Sequence, residues 1–402
     1  MTTVDAQSSS LAEQRAQAVA TVRALGPELT GRIAEGEAQR RLPDANVQAY
    51  HDAGLWRVLQ PRRFGGQEQH PLVFFDALIE TARYCPSTAW VYGVVGVHQW
   101  QLALFDPQAQ EEVWGESPEV LISSSYAPTG QVERVEGGYR ISGRWSFSSG
   151  CEHCDWVFLG GFCPPPEDGP PRPDMRTFLV PKSDYRIEDT WKTVALQATG
   201  SHDVVIDSAF VPEHRTHRMS DGFKLSSPGH VINDGPLYRL PFGLLFTRSV
   251  SSSAIGLLAG ALDAYLDVAR AKVSASDQSR VVEDARSQQV CAEARITLDE
   301  VSLVLERTFM ELMAAAEAGE TPAIERRVQF RYESAQAVEK CMEAVDKLNG
   351  QSGGRAIFHD SAIRPFFQAV HAARGHYANN PHKPAQNFGR VLLGLKTKDF
   401  FL

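Results

Sequence analysis

His98, Ser149 and the Cys151/Cys154 pair are the residues whose type and spacing could carry chemistry in this chain. His98 lies in VVGVHQWQLALF, one residue beyond Val97 on an apolar helical pattern, so its imidazole is expected to be at least partly buried. Such a group is either a satisfied core histidine or a base. Ser149 follows a nearly strict two-residue alternation. Tyr139, Ile141, Trp145 and Phe147 share one face, and Arg140, Ser142, Arg144, Ser146 and Ser148 the other. Continuing that parity puts Ser149 on the aromatic face. An aromatic wall ending in a hydroxyl suits a flat, hydrogen-bonding ligand such as a flavin ring; a sandwich strand with its aromatic residues in the core fits the same pattern. Cys151 and Cys154 bracket His153, but no second ligand pair at matching spacing accompanies them, as a zinc site requires. They also lie between two strand-like segments, where a thioredoxin-like pair would open a helix. They read as small apolar residues in a turn, and no metal is expected.

The elements that must hold these residues fall in three stretches. Residues 1–118 read as helical: Ser8 to Ser10 offer caps before Leu11, and Pro43, Pro71 and Pro107 sit where helices start. Ser87 is a cap for an apolar helix through Trp90, Val94, Val97 and Leu104. Residues 119–212 are strand-rich, with a hairpin signal at Val135-Glu-Gly-Gly-Tyr139 and strands expected at Asp155–Gly161, Arg176–Val180 and Asp203–Val211. Pro164–Pro173, PPPEDGPPRP, is expected to be an exposed loop, because proline cannot donate to a ladder. Residues 213–402 return to helix after a loop to Leu240. Val290, Ala294, Leu298, Val301, Leu305, Phe309 and Leu312 recur at spacings of four and three, as do Ile324, Val328, Tyr332, Ala335, Val338, Met342, Val345 and Leu348. Such stripes predict a helical bundle, with a tight polar turn at Ser352-Gly-Gly-Arg355 after it. The predicted fold class is α+β: an N-terminal α-helical domain, a central β-barrel or sandwich domain and a C-terminal four-helix bundle.

The bulk properties exclude some classes. A net charge of -9 lacks the basic footprint of a nonspecific nucleic-acid binder, so no nucleic-acid partner is expected. No apolar run reads as the roughly 20 residues that span a bilayer, so no membrane partner is expected. The N-terminal MTTVDAQSSSLAEQ has neither a basic start nor an apolar core, so a cytoplasmic protein without a secretory signal is expected.

The order helices, β domain, helical bundle resembles the acyl-CoA dehydrogenase fold. Within it, five segments resemble the oxygenase components of two-component flavin-dependent monooxygenases of the secosteroid phenol hydroxylase and p-hydroxyphenylacetate hydroxylase type. They are Val94–Phe105, LISSSYAPTG from Leu121, GRWSFSSGCEHCDWVFLGG from Gly143, PLYRLPFG from Pro236 and SGGRA from Ser352. The resemblance covers nearly the whole chain. Departures fall in PFFQAVHAARGH, where relatives carry an Arg-Asp pair, and in the loop ALQATGSHD from Ala195.

The resemblance implies hydroxylation of a small aromatic, phenolic substrate through a flavin hydroperoxide, with dioxygen as co-substrate. Reduced flavin, FMNH2 ahead of FADH2, would come from a separate NAD(P)H-dependent flavin reductase. By the same resemblance Ser149 meets the reactive edge of the flavin, with Phe147 lining the ring. His98 takes the phenolic proton, with Ser124 and Tyr126 beside the substrate, and His376 sits near the reacting edge of the flavin. Thr199, Gly200 and Ser201 would contact the ring or ribityl chain. Ser352, Gly353 and Gly354 would hold the phosphate across a subunit interface of a homotetramer, since glycine permits close approach and free N–H groups suit an anion. Two alternatives share the fold. A natural-product N- or C-hydroxylase would use the same flavin chemistry. An acyl-CoA dehydrogenase would need a carboxylate base, but Arg374–Pro381 and Ser249–Leu262 contain no acid.

Overall fold

The first helix, α1 (Leu11–Gly31), opens on one of the expected caps: Ser10 Oγ accepts from the Glu13 amide at 3.3 Å, and Glu13 accepts from the Ser10 amide at 2.7 Å. The computed structural model describes residues 10–164, 174–273, 278 and 280–402. Residues 165–173 of the proline-rich stretch, and Ser8 and Ser9, lie outside the described residues. After α1 come α2 (Ile33–Gln39), α3 (Asp44–Asp52), α4 (Pro71–Tyr84), α5 (Pro86–Leu102) and α6 (Pro107–Trp114). Pro71, Pro86 and Pro107 each occupy a first helical position, where a missing N–H costs nothing. Ser87 is therefore inside α5 and does not cap it; Cys85 is the cap residue, in extended conformation. Every residue of α5 is buried, as expected of a helix apolar all round. It is the axle of the molecule, packed on α4, on the later helices and on the first strand.

Two four-stranded sheets follow. One contains β1 (Ile122–Ser125), β4 (Trp156–Cys163), β5 (Asp174–Pro181) and β8 (Thr216–Arg218), with β1 parallel to β4. The other contains β2 (Gln131–Val135), β3 (Gly138–Ser148), β7 (His202–Pro212) and β6 (Arg186–Glu188). The β2–β3 hairpin turns at Glu136-Gly137, with Gly137 at φ 76° as the tight turn demands. Strand structure continues past Pro212 into β8, because Thr216–Arg218 finds the free edge of β5. The inner faces of the two sheets meet as a sandwich core through Tyr139, Ile141, Trp145, Val157, Leu159, Phe178, Val204 and Ile206. On its other face the first sheet presents Phe158 and Leu179 to Leu102, Phe105 and Trp114.

The helices beyond are α7 (Met219–Lys224), α8 (Phe242–Ser251), α9 (Ser253–Ala271), α10 (Ala285–Glu317), α11 (Ile324–Gln351), α12 (Arg364–Gly375) and α13 (His382–Leu392). The predicted stripe of α10 is buried throughout, and so are Val328, Ala335, Val338, Val345 and Leu348 of α11. Helices α8 and α9 together, Phe242–Ala271, are long and apolar enough by composition to cross a bilayer, which the sequence reading did not register. They form the centre of the bundle instead, 94% buried within their most apolar window.

Candidate active site

Alternation along β3 holds as far as Trp145 and then breaks. Tyr139, Ile141 and Trp145 point into the sandwich core, so this part of the aromatic face is packing and not a ligand wall. Trp145 pairs with Val204 and Ser148 with His202, which leaves Ser146 and Phe147 opposite Asp203 alone. This is a β-bulge, and it carries Phe147 to φ 67°, a left-handed conformation rare for a bulky residue. The bulge reverses the parity: Phe147 swings out to 71% exposure, and Ser148 turns in to meet Ser123 Oγ at 3.1 Å. The extra residue thus aims Phe147 and Ser149 at a cavity that the regular strand would have missed.

That cavity measures about 580 Å³ and lies where α5, β1, the β3 bulge, the 191–201 loop, α8 and the end of α12 converge. Trp90 and Val94, one helical turn apart on α5, form its floor, and Phe147, Trp191, Phe246 and Tyr377 supply aromatic walls. Ser124, Ser125, Ser146, Ser149 and Ser201 supply hydroxyls, and the loop from Thr193 to Leu196 covers one side. No carboxylate stands among the described residues lining it. Size, apolar walls and a few convergent hydroxyls are what a flat aromatic cofactor with one polar edge requires, so the residues present fit a flavin ring.

Of the residues singled out from the sequence, Ser124, Tyr126, Phe147, Ser149, Ser201 and His376 come together around this space. Thr199 and Gly200 do not reach the wall; Thr199 is buried behind Ser201, with Oγ–Oγ at 2.7 Å. Ser352, Gly353 and Gly354 lie at the far end of α11, about 30 Å along the helix from Arg331, the charge that His376 senses. Cys151 and Cys154 are buried in a short turn, Cys154 Sγ 3.3 Å from the Gly150 carbonyl, and burial pushes the Cys151 thiol up to about 12. Among the described residues no group of three or more His, Cys, Asp or Glu side chains could hold a metal ion. Trp90, Trp191, Phe246 and Tyr377 were not identified from the sequence as site residues. Only the four-residue step from Trp90 through Val94 to His98 hinted that one face of α5 serves the site.

The two site histidines are held in opposite tautomers. His98 is fully buried one turn beyond Val94, its ring edge-on to Tyr126 and Phe158. It is not in the cavity wall but directly behind Tyr126, whose hydroxyl donates to Gln101. His98 Nδ1 lies 2.5 Å from the Ile122 carbonyl, which can only accept, so the proton sits on Nδ1. Nε2 is left as a bare, buried lone pair with no partner. Burial lowers the ring to about 4, so it is neutral at physiological pH. His376 lines the cavity, and its Nδ1 accepts from the Ala378 amide at 3.2 Å. Its proton therefore sits on Nε2, a donor, and burial aided by Arg331 lowers this ring to about 4 as well.

These shifts set an acid limit. Burial holds His70, His98 and His376 at about 4 and His217 at about 3, whereas unfolding returns each to about 6.5. Between those values the unfolded chain binds more protons, so stability should be complete above about pH 6.5 and fall as pH drops toward 4. His98 alone contributes on the order of 3 kcal/mol to that loss. Urea midpoints measured between about pH 7.5 and about pH 5 should decline; a constant midpoint would contradict the burial of neutral imidazoles.

Residues 249–381 match the family described as acyl-CoA dehydrogenase, C-terminal domain. Along the whole chain, the flavin-dependent monooxygenase, oxygenase subunit HsaA of Rhodococcus jostii is 38% identical over 94% of this chain and 98% of its own. The FADH(2)-dependent resorcinol hydroxylase, oxygenase component, of Rhizobium is 33% identical over 90% of each. The crystal structure of 3-HSA hydroxylase from Rhodococcus sp. RHA1 superposes with a TM-score of 0.91 at 36% identity, covering 96% of this chain and 99% of that one. Sequence and architecture agree from end to end: this chain belongs to the flavin-dependent monooxygenase oxygenase subunits built on the acyl-CoA dehydrogenase fold.

Proposed function

We propose that this chain hydroxylates a phenolic aromatic substrate with dioxygen, using reduced flavin delivered by a separate NAD(P)H-dependent reductase. The observation that carries this reading is the cavity itself: aromatic walls and convergent hydroxyls, with no carboxylate among its described lining residues. A dehydrogenase of the same fold needs such a carboxylate to take an α-proton. When bound, reduced flavin supplies the electrons and the ring at which oxygen is activated. Phe147 would line the bound ring and Ser149 its reactive edge, and the Nε2–H of His376 would offer a donor to negative charge at that edge.

Ser124 and Tyr126 hold the substrate hydroxyl at the cavity face. His98, neutral and with Nε2 unpaired, is the proposed acceptor of its proton, which it reaches when the Tyr126 ring in front of it moves aside. A phenol with a pKa of about 10 is scarcely ionised near neutrality, and a neutral imidazole with a bare lone pair accepts a hydrogen bond from it and draws the proton off as the ring is attacked. Reduced FMN is the proposed form of the cofactor, with FAD the alternative. Its phosphate is assigned to the Ser352-Gly353-Gly354 turn of a second copy in a homotetramer. The distance between this turn and the cavity of the same chain supports that assignment.

The test is to supply the purified protein with chemically reduced flavin, air and a panel of phenols. Hydroxylated product is expected from at least one of them. Release of hydrogen peroxide alone, with every phenol tried, would remove the hydroxylase reading.

A further inference from the structure

Ser149 is the head of a buried hydroxyl relay whose direction the fold fixes. Trp90 Nε1–H donates to Ser149 Oγ at 3.2 Å. Ser149 Oγ lies 2.7 Å from Ser201 Oγ, which lies 2.7 Å from Thr199 Oγ1. Thr199 Oγ1 in turn lies 2.9 Å from the Leu196 carbonyl. A carbonyl only accepts, so the Thr199 proton goes to Leu196. Each hydroxyl has one proton, and the assignment therefore propagates: Ser201 donates to Thr199, and Ser149 donates to Ser201. The opposite direction would press the Thr199 and Leu196 oxygens together with no proton between them. All three hydroxyls are at least nine-tenths buried, and Thr199, the end that sets the direction, stands behind Ser201 out of the cavity wall. Leu196 (φ 50°) and Gly200 (φ 52°) bend the loop so that this carbonyl meets Thr199, and the Gly150 amide ties the loop to β3 through the Thr199 carbonyl at 2.8 Å.

With one proton committed to Ser201 and one lone pair taken by Trp90, Ser149 has only a lone pair left for the cavity. We infer that Thr199 and Ser201 are positioning residues that make Ser149 an obligate acceptor, and so select reduced over oxidised flavin. The inference rests on the proposed contact between Ser149 and the flavin edge. In the reduced ring the central nitrogen at that edge bears an N–H, which an acceptor satisfies. In the oxidised ring the same nitrogen is a bare lone pair and faces another lone pair. An oxygenase that waits for flavin reduced elsewhere gains from this distinction, because spent cofactor leaves and the competing oxidised pool is refused.

The measurement is the ratio of dissociation constants for oxidised FMN, by fluorescence quenching, and reduced FMN, by anaerobic ultrafiltration. Thr199→Val removes the terminal donor and lets the relay reverse, which frees the Ser149 proton; the ratio should fall about tenfold. Ser201→Ala frees the same proton from the middle of the relay and should move the ratio the same way, which covers a Thr199 variant that folds poorly. Thr199→Ser keeps the hydroxyl and should keep the native ratio. If Ser149→Ala lowers the ratio while Thr199→Val and Ser201→Ala leave it native, the contact stands and the relay inference is overturned. If Ser149→Ala changes neither constant, the contact beneath the inference is itself overturned.

Discussion

Replacing His98 with Asn is expected to slow product formation about 10²-fold while hydrogen peroxide release from reduced flavin and oxygen continues. The expectation follows from three properties of this imidazole. Its Nδ1–H is spent on the Ile122 carbonyl, its Nε2 is buried without a partner, and burial keeps the ring neutral down to about pH 4. An asparagine side chain can still reach for that carbonyl but has no basic atom. The pH profile separates loss of a base from loss of packing. The native enzyme should show a rate that is flat in pH above the His98 titration. The variant should depend on substrate already ionised, so its rate should climb with pH toward the phenol's own pKa of about 10. A variant that is slow and equally flat would reduce His98 to a structural link between α5 and β1. Unchanged product yield would remove it from the mechanism.

The second large effect separates two neighbours that the bare alternation assigns to one face. Trp145→Ala should destabilise the protein by about 3–5 kcal/mol, because a fully buried indole leaves the sandwich core. Its Nε1–H also loses the Gly160 carbonyl, 2.9 Å away. The folded fraction should bind reduced flavin with native affinity. Phe147→Ala should do the reverse: stability within about 0.5 kcal/mol of native, since the ring is 71% exposed, but flavin binding weakened several-fold. Denaturant melts and anaerobic flavin titrations of the two variants read both quantities. Weakened binding in Trp145→Ala at intact stability would mean that the aromatic face of β3 is the flavin wall after all.

That pair shows where the sequence stops being legible. The capping box at Ser10, the prolines at helix starts, the β2–β3 turn and the stripes of α10 and α11 are local matters of propensity and period. Each appears in the fold where its residues put it. The motifs around His98, Ser124 and Ser149, with PLYRLPFG and SGGRA, are enough to identify the family, and Ser124, Ser149 and His376 line one cavity with His98 outside its wall. Alternation could not reveal the bulge at Phe147, because the bulge is a two-against-one pairing with Asp203 on a strand more than fifty residues away in the chain. Ser87 is not the cap because proline at the first helical position sets the helix start two residues earlier, with Cys85 before it.

What the sequence by itself determined is the set of elements, the family and most of the reactive side chains, since these follow from residue types at short spacing. Only the tertiary structure decided how those side chains are presented. It put His98 behind Tyr126, set the two histidines in opposite tautomers, and placed the Leu196 carbonyl at the foot of the hydroxyl relay. His98 takes its proton's direction from a carbonyl of β1 brought in from another segment, whereas His376 and Thr199 take theirs from backbone groups two and three residues away that the local turns bring round; hydrogen-bond direction is fixed by such partners and not by the residue that carries the proton.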